Sequence, residues 1–285
     1  MATRCWLCPP PTPWRCAQAV CCAAAFSMAA ASAPWSDGEG DGCVAAWALC
    51  FSITLLLLLA QLFGRPFTRR DLPLAFALAS AITCTAAAIL WPLGQLRGQP
   101  EGQRRHLRAA VTAASVLAAV CYGAEVGVTR VMPGEAVPYL ATPPGLLKVA
   151  QSVMAAILVG VSTAIGAAGG PTGWRWCVGI YGAGLAIGLL VILTCGGVLG
   201  LPAGCGLGLD ALWARRLLVA YAAIGAAAYG AATVLWPLEA FDGGRGGRSS
   251  RPYGCGAGCH WDRAVLVAIG TAINLVLYLA DLAQA

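Results

Sequence analysis

Eight apolar runs dominate this sequence, and each of them is long enough to cross a lipid bilayer. A transmembrane α-helix needs about 20 mainly apolar residues, because the hydrocarbon layer is about 30 Å thick. The runs cover residues 16–33, 43–63, 72–93, 109–128, 149–168, 176–199, 217–236 and 264–282. They do not alternate polar and apolar residues as membrane β-strands do. The runs therefore predict an all-α membrane protein with eight transmembrane helices.

The composition excludes a soluble globular protein of this length. Hydrophobic residues make up 59% of the 285 residues and charged residues only 11%, which is too little polar surface to cover such a globule. The longest gap between runs, residues 237–263, is too short for a separate catalytic domain. The net charge of +6 is scattered over loops. It indicates contact with anionic lipid headgroups and no nucleic-acid partner.

Motifs of the first half of the chain recur in the second half at growing offsets. Leu-Trp-Pro-Leu closes the third run at residues 90–93 and closes the seventh at residues 235–238, an offset of 145. The other repeated pairs are Arg15 and Gln18 with Lys148 and Gln151 (offset 133), Cys43 and Trp47 with Cys177 and Tyr181 (134), and Tyr122 and Glu125 with Tyr278 and Asp281 (156). Offsets that only increase are typical of a duplicated unit with loop insertions.

The repeat predicts four segments. Residues 1–13 form a cytoplasmic tail, residues 14–131 a first four-helix module, residues 132–144 a linker, and residues 145–285 a second four-helix module. The linker contains four prolines, which stiffen it and block helix continuation.

The first run also resembles a secretory signal peptide. Arg4 and Arg15 precede it, and it ends in the small residues 31–33. The run is longer than a usual signal core, however, and Pro34 would directly follow the cut. Because the repeat also needs this helix, we interpret it as a membrane span.

The first two loops predict the orientation. Residues 36–42 carry three acidic residues and no base, whereas residues 64–71 carry three arginines and should face the cytoplasm. With an even number of spans, both termini are then cytoplasmic. Over the whole chain the basic residues divide evenly between the two sides, so the prediction depends on these two loops.

Four ionisable residues lie near the cytoplasmic ends of the predicted helices, namely Arg15, Glu125, Lys148 and Asp281. A charge inside the bilayer costs about 2.5–3.5 kcal/mol on insertion scales, so each should have a partner. We predict that Arg15 faces Glu125 and that Lys148 faces Asp281, which would close each module at its inner rim. The swapped pairing would join the modules, and unpaired side chains reaching the headgroups are a third alternative.

Two cysteine pairs lie outside the runs. Cys5 and Cys8 in the tail are predicted to be palmitoylated or free, because a zinc site would need a second Cys/His pair nearby. Cys255 and Cys259 close an outward loop and are predicted to form a disulfide, with free thiols and a zinc site as the alternatives. The centre of that loop, residues 243–248, has no apolar side chain to pack and is expected to be mobile.

Catalysis and transport find little support in the sequence. A proton relay or transport site would need several acidic or histidine groups at mid-membrane, but His106 and His260 both fall in loops. We predict no metal, no other cofactor and no catalysis. The Trp-Pro pairs at residues 91–92 and 236–237 are expected to anchor at the interface and to stop their helices.

Several of these motifs together resemble the MARVEL module. They are the basic-x-x-Gln start of the first helix, Leu-Trp-Pro-Leu at the end of the third, and Ala-Glu-Val-x-Val-Thr-Arg at residues 124–130, which ends the fourth. The two-module arrangement, with further matches in residues 139–151, 176–178 and 259–282, resembles the myeloid-associated differentiation marker family. The likeness covers residues 15–285.

The resemblance implies a role in organising ordered, cholesterol-rich membrane patches, vesicle traffic, and cell-surface or junctional behaviour. It implies membrane lipids and cholesterol as partners, possible contacts with other membrane proteins or further copies of the chain, and the plasma membrane or vesicle membranes as the location.

Relatives tend to carry a cysteine pair between the third and fourth helices, and residues 94–108 have none. The first module would then lack an outer disulfide.

A channel or small-solute transporter is the alternative function. Adhesion at junctions is a third, against which the expected mobility of residues 243–248 argues.

Overall fold

The computed structural model of the protein describes residues 13–32, 41–63, 71–95, 102–131, 139, 142–195, 209–243, 247–256 and 259–284. Within these ranges the chain forms eight long α-helices and no β-strand. The helices are α1 (Pro13–Ser32), α2 (Asp41–Leu62), α3 (Asp71–Gln95), α4 (Gln103–Val131), α5 (Pro143–Ala164), α6 (Thr172–Cys195), α7 (Leu209–Phe241) and α8 (His260–Gln284). The predicted all-α membrane class is confirmed.

Seven of the helices, α2 to α8, have the length and hydropathy needed to cross a bilayer. The helix α1 is not among them. Its 20 residues include Arg15 and Gln18 and are otherwise mainly small alanines and cysteines, so its hydropathy is lower than that of the leucine-rich α2. The membrane crossing of α1 therefore stays a prediction.

The chain divides into two compact units, Met1–Gly134 and Glu135–Ala285. In the first unit, each helix packs against the next one, and α4 packs back against α1. In the second unit, α5 to α8 pack in the same order, and α8 packs back against α5. Each unit is thus a closed set of four helices.

Small side chains and a few large rings fill the core of the first unit. Cys22, Ala25 and Ala29 are buried on α1, where they allow neighbouring helices to approach closely. Trp47 and Trp91 pack edge to face beside them, with ring centroids 5.4 Å apart.

Stacked tyrosines fill the core of the second unit. Tyr229 lies between Tyr181 and Tyr278, at centroid distances of 5.8 Å and 5.2 Å. Glycines make room for these rings. A Cβ atom on Gly225 would lie 2.2 Å from the Tyr278 ring, and one on Gly184 would lie 3.0 Å from the Tyr229 hydroxyl.

Large apolar side chains point away from both cores. Leu49, Leu56 and Val120 in the first unit and Ile224 and Val276 in the second are each more than 60% exposed. In helices of membrane length, such a surface is typical of contact with lipid.

Helix ends follow local signals at some positions and not at others. The Thr142 hydroxyl accepts a hydrogen bond from the Gly145 N–H and caps α5, with Pro143 in the first turn. Pro92 and Pro237, however, do not stop their helices, because α3 continues to Gln95 and α7 to Phe241. The prediction was wrong because a proline this close to a helix end removes only one backbone hydrogen bond.

Candidate functional site

A buried ion pair joins α1 to α4 in the first unit. The Arg15 Nε donates to Glu125 Oε1 at 2.7 Å, and the two side chains are only 12% and 7% exposed. One turn further along α1, the Gln18 Nε2 donates to Glu125 Oε2 at 2.7 Å and to the Cys121 carbonyl at 3.2 Å. Both carboxylate oxygens of Glu125 are therefore bound by side chains of α1.

The second unit contains the same arrangement between α5 and α8. The Lys148 Nζ lies 2.6 Å from Asp281 Oδ2, and the two side chains are 2% and 4% exposed. The Gln151 Nε2 donates to the same carboxylate oxygen and to the Leu277 carbonyl, both at 3.2 Å. The Lys148 ammonium also lies over the Tyr221 ring, 5.1 Å from its centroid, in a cation–π contact.

Each cation thus lies against the carboxylate of its own unit. Arg15 contacts Glu125, and Lys148 contacts Asp281. These contacts differ from the two alternatives, which were the swapped pairing and side chains that reach the headgroups unpaired. Removing one partner of a buried ion pair costs about 3–5 kcal/mol, because the other charge is left uncompensated. The glutamine in each unit adds hydrogen bonds that help to hold the carboxylate in place.

A second contact recurs further along α4 and α8. The Trp47 Nε1 donates to Ser115 Oγ at 3.0 Å in the first unit. The Tyr181 and Thr271 hydroxyls lie 2.7 Å apart in the second unit. The positions on α2 and α6 differ by 134 and those on α4 and α8 by 156, which are offsets of the sequence repeat.

A third contact recurs at the opposite end of the units. The Trp91 Nε1 donates to the Arg108 carbonyl at 3.3 Å, and the Trp236 Nε1 donates to the Ala264 carbonyl at 2.9 Å. The offsets are 145 and 156. We call the end that contains these tryptophans the tryptophan end of each unit, and the end that contains the ion pair the ion-pair end.

The buried faces of α4 and α8 connect these contacts. Residues spaced three and four apart lie on one face of a helix. The buried residues along the two faces are Ser115, Ala118, Tyr122 and Glu125 on α4 and Thr271, Asn274, Tyr278 and Asp281 on α8. All four of these residues are polar on α8, whereas on α4 the apolar Ala118 lies between Ser115 and Tyr122.

A disulfide and an ion pair lie in the loop between α7 and α8, at the tryptophan end of the second unit. Cys255 and Cys259 are joined by a disulfide there. The Arg251 guanidinium binds Asp262 through Nε at 2.9 Å and through Nη2 at 3.1 Å, and Nη2 also donates to the Cys255 carbonyl at 2.6 Å. Sequence reasoning missed the Arg251–Asp262 contact, because neither residue lies in an apolar run.

Two residues of the segment that is expected to be mobile donate backbone hydrogen bonds to the end of α7 and the residue after it. The Gly247 N–H donates to the Asp242 carbonyl at 2.9 Å, and the Arg248 N–H donates to the Ala240 carbonyl at 3.1 Å. Carbonyls at the end of a helix lack partners within the helix, and these donors satisfy the Ala240 carbonyl in the last turn of α7 and the Asp242 carbonyl just after it. The Trp261 indole further donates to the Arg248 carbonyl at 3.1 Å. Residues 244–246 lie outside the described ranges.

Arg108 covers the tryptophan end of the first unit. Its side chain is buried, and it donates from Nη1 to the Gln95 carbonyl at 2.8 Å and from Nη2 to the Ser32 carbonyl at 3.3 Å. These carbonyls lie in the last turns of α3 and α1, where the helix dipole is negative. Sequence reasoning counted Arg108 only among the loop arginines. The available signal was its position next to the fourth apolar run.

The remaining predicted site residues belong to the N-terminal tail. Cys5 and Cys8 lie outside the described ranges. Among the described residues, no group of three or more His, Cys, Asp or Glu side chains has the geometry to hold a metal ion. A groove of about 320 Å³ opens between α2 and α3, and its lining of small and apolar residues includes Ala45, Ala46 and Phe76.

Apolar outer faces around buried ion pairs define a helical, multi-pass membrane protein. Residues 7–128 match MARVEL, a membrane-associating domain. The chain is 34% identical to the myeloid-associated differentiation marker of Homo sapiens over 280 residues, which cover 93% of this chain and 84% of the relative. The chain belongs to the myeloid-associated differentiation marker family, and the resemblance seen in its sequence is confirmed.

Two further relatives show the breadth of the match. The chain is 34% identical to the myeloid-associated differentiation marker-like protein 2 of Bos taurus over 274 residues, and 29% identical to the homolog of Xenopus laevis over 269 residues. Each match covers 90% of this chain and 85% of the relative. No solved structure matches the chain.

Proposed function

We propose that the protein organises ordered, cholesterol-rich membrane patches, and through them membrane traffic and cell-surface or junctional behaviour, without catalysis. One observation carries the proposal. The helices hold Arg15 against Glu125 and Lys148 against Asp281, and many of their large aliphatic side chains point outward. The outer surface is thus suited to lipid, and function would follow from how the helices shape and sort their surroundings.

We further propose an eight-span arrangement of two tandem MARVEL-type modules with both termini in the cytoplasm. The three contacts that recur at the repeat offsets support the duplication. The packing of α1 along α4, a helix of membrane length, supports a crossing by α1. The module boundaries, residues 14–131 and 145–285 with the linker 132–144 between them, agree with the division of the chain after Gly134.

In this arrangement the two ion pairs are structural. Arg15 and Glu125 would fix the first helix of one module to its fourth, and Lys148 and Asp281 would do the same in the other. The disulfide of Cys255 and Cys259 would hold the outer loop of the second module, and Arg108 would take the corresponding role in the first. Palmitoylation of Cys5 or Cys8 would add affinity for the inner leaflet.

The proposed partners are membrane lipids, with cholesterol among them, and neighbouring membrane proteins or further copies of the chain. The groove between α2 and α3 supports a lipid partner, because its lining is small and apolar. The proposed location is the plasma membrane or vesicle membranes.

Phase partitioning in giant vesicles drawn from plasma membranes tests this proposal. The full chain with a fluorescent tag should concentrate in the ordered phase. Both glycines of the double variant Gly123→Leu and Gly127→Leu are exposed on α4, and an added Cβ meets no atom within 4 Å, so the fold should tolerate the change. The variant should lower this enrichment at least twofold, because it replaces small residues that permit close packing at the outer surface. Leu117→Ile, on the same exposed face, is the volume-matched control. Exclusion of the wild-type chain from the ordered phase would refute the proposal.

One observation favours a channel as the second candidate. The buried face of α8 is polar at four successive positions, including Asn274 in the middle of the helix. If this polar face lines a path for solutes, proteoliposomes containing the chain should be more permeable to water or small polar solutes than empty vesicles. The substitution Asn274→Leu should abolish the difference in permeability. Equal permeability would eliminate this candidate.

A further inference from the structure

Two buried polar side chains meet at the centre of the second unit. Asn274 on α8 is 0% exposed and Tyr229 on α7 is 1% exposed. The Tyr229 hydroxyl lies within hydrogen-bonding reach of the Asn274 amide. Yet the hydroxyl and both polar atoms of the amide make no hydrogen bond of good geometry with any described residue. Polar groups in a membrane interior need partners, because lipid offers none.

This pair is particular to the second unit. At the repeat offsets of 156 and 145, the first unit has Ala118 in place of Asn274 and Cys84 in place of Tyr229. The contacts on either side are shared, because Thr271 and Ser115 both bind across to the next helices and Asp281 and Glu125 both form ion pairs. The second unit therefore contains one pair of buried polar side chains, Asn274 and Tyr229, that the first unit lacks.

We propose that the second unit binds an internal water molecule at the Asn274 and Tyr229 side chains. Water can donate to the amide oxygen, accept from the amide nitrogen, and either donate to or accept from the phenol. Buried waters typically make about three such bonds to groups that would otherwise lack partners. A direct bond to Tyr229 would satisfy only one of the two polar atoms of the amide, so the pair is incomplete without a third group.

The surroundings fit a neutral ligand of this size. The nearest charges along α8 belong to Asp281, two turns away, and Lys148 and Gln151 already bind that carboxylate. A glycine stands beside the phenol on α6, since a Cβ on Gly184 would lie 3.0 Å from the Tyr229 oxygen. The site is thus bordered by a glycine and by the uncharged rings of Tyr181 and Tyr278, and an ion would find no counter-charge there.

The sequence makes this proposal unusually easy to test, because Asn274 is the only asparagine in the chain. Labelling with 15N-asparagine gives one backbone nitrogen and one side-chain nitrogen. In solid-state NMR of the full chain in lipid bilayers, magnetisation from water protons should reach the side-chain nitrogen at least twice as fast as the backbone nitrogen. The backbone nitrogen is the internal control, since it lies in the middle of a helix.

The variants separate water from a direct contact. Tyr229→Phe should slow the transfer from water at least twofold, because one of the partners that hold the water is lost. Absence of fast transfer in the wild-type chain would overturn the proposal. A side-chain shift that moves on Tyr229→Phe without any water transfer would show instead that the two residues bind each other. The wild-type measurement decides even if the variant does not fold, and it does not depend on the proposed function.

Discussion

Lys148 is the only lysine in the chain, and its side chain is buried against Asp281 and Tyr221. At the scale of single residues, the acid and base of each unit meet because an unpaired charge inside a membrane is costly. The same argument identified the four charged residues from the sequence. It did not identify the roles of Gln18 and Gln151, because an amide carries no charge and its cost gives a weaker signal.

The burial of Lys148 predicts resistance to amine-specific reagents. Reductive methylation of the full chain in native membranes should leave Lys148 almost unmodified, since its Nζ is enclosed by the ion pair. Asp281→Asn should raise the extent of modification several-fold because the ammonium loses its counter-charge. Mass spectrometry of the modified peptide measures this, and the denatured chain serves as the reactive control. Full modification of the folded wild-type chain would contradict the structure.

Exchange of charges tests the pair in the first unit. Arg15→Glu or Glu125→Arg alone should lower stability by about 3–5 kcal/mol, because each leaves two like charges at a buried site. The double variant should recover most of the loss, as measured by expression level and thermal unfolding in mild detergent. Arg104→Glu is the control, because Arg104 is exposed on α4. If the double variant is no better than the single ones, the two side chains do not act together.

At the scale of helices, the two units differ most at their tryptophan ends. The second unit has a disulfide and the Arg251–Asp262 contact there, whereas the first unit has Arg108 bound to the ends of α1 and α3. A positive charge beside helix C-terminal carbonyls is favourable. The arginine therefore joins helix ends in the unit whose loop has no cysteine pair.

Removing this arginine should loosen the first unit. Hydrogen bonds to charged groups contribute about 1.5–3 kcal/mol each, so Arg108→Gln should destabilise the chain by a few kcal/mol. Limited proteolysis should then cut first between α3 and α4. Arg105→Gln, an exposed position one turn earlier, is the matched control. Equal effects of the two substitutions would assign Arg108 no special role.

Helices were easier to predict than their ends and caps. Apolar runs located all eight helices, because membrane length and hydropathy are properties of the run itself. Pro92 and Pro237 misled the prediction of helix ends, because a proline near a helix end removes only one backbone hydrogen bond and need not end the helix. The partners of Arg108 and Gly247 could not be predicted, since they are backbone carbonyls, which leave no trace in the sequence.

At the scale of the whole molecule, the claim is that one four-helix membrane module occurs twice. The repeated contacts support it, and the growing offsets already indicated it in the sequence. The claim depends most on the membrane crossing of α1, because α1 has Arg15 and Gln18 in its first turns and a lower hydropathy than α2.

Glycosylation mapping measures the crossing of α1 directly. The only asparagine is followed by Leu275 and Val276, so the natural chain has no acceptor motif and no background signal. Acceptor motifs in flexible inserts should be glycosylated between residues 33 and 40 and between residues 243 and 246. Inserts in the first 12 residues and between residues 64 and 70 should stay unmodified. A glycosylated N-terminal tail, or an unmodified insert between α1 and α2, would contradict the eight-span module and with it the proposed doubling.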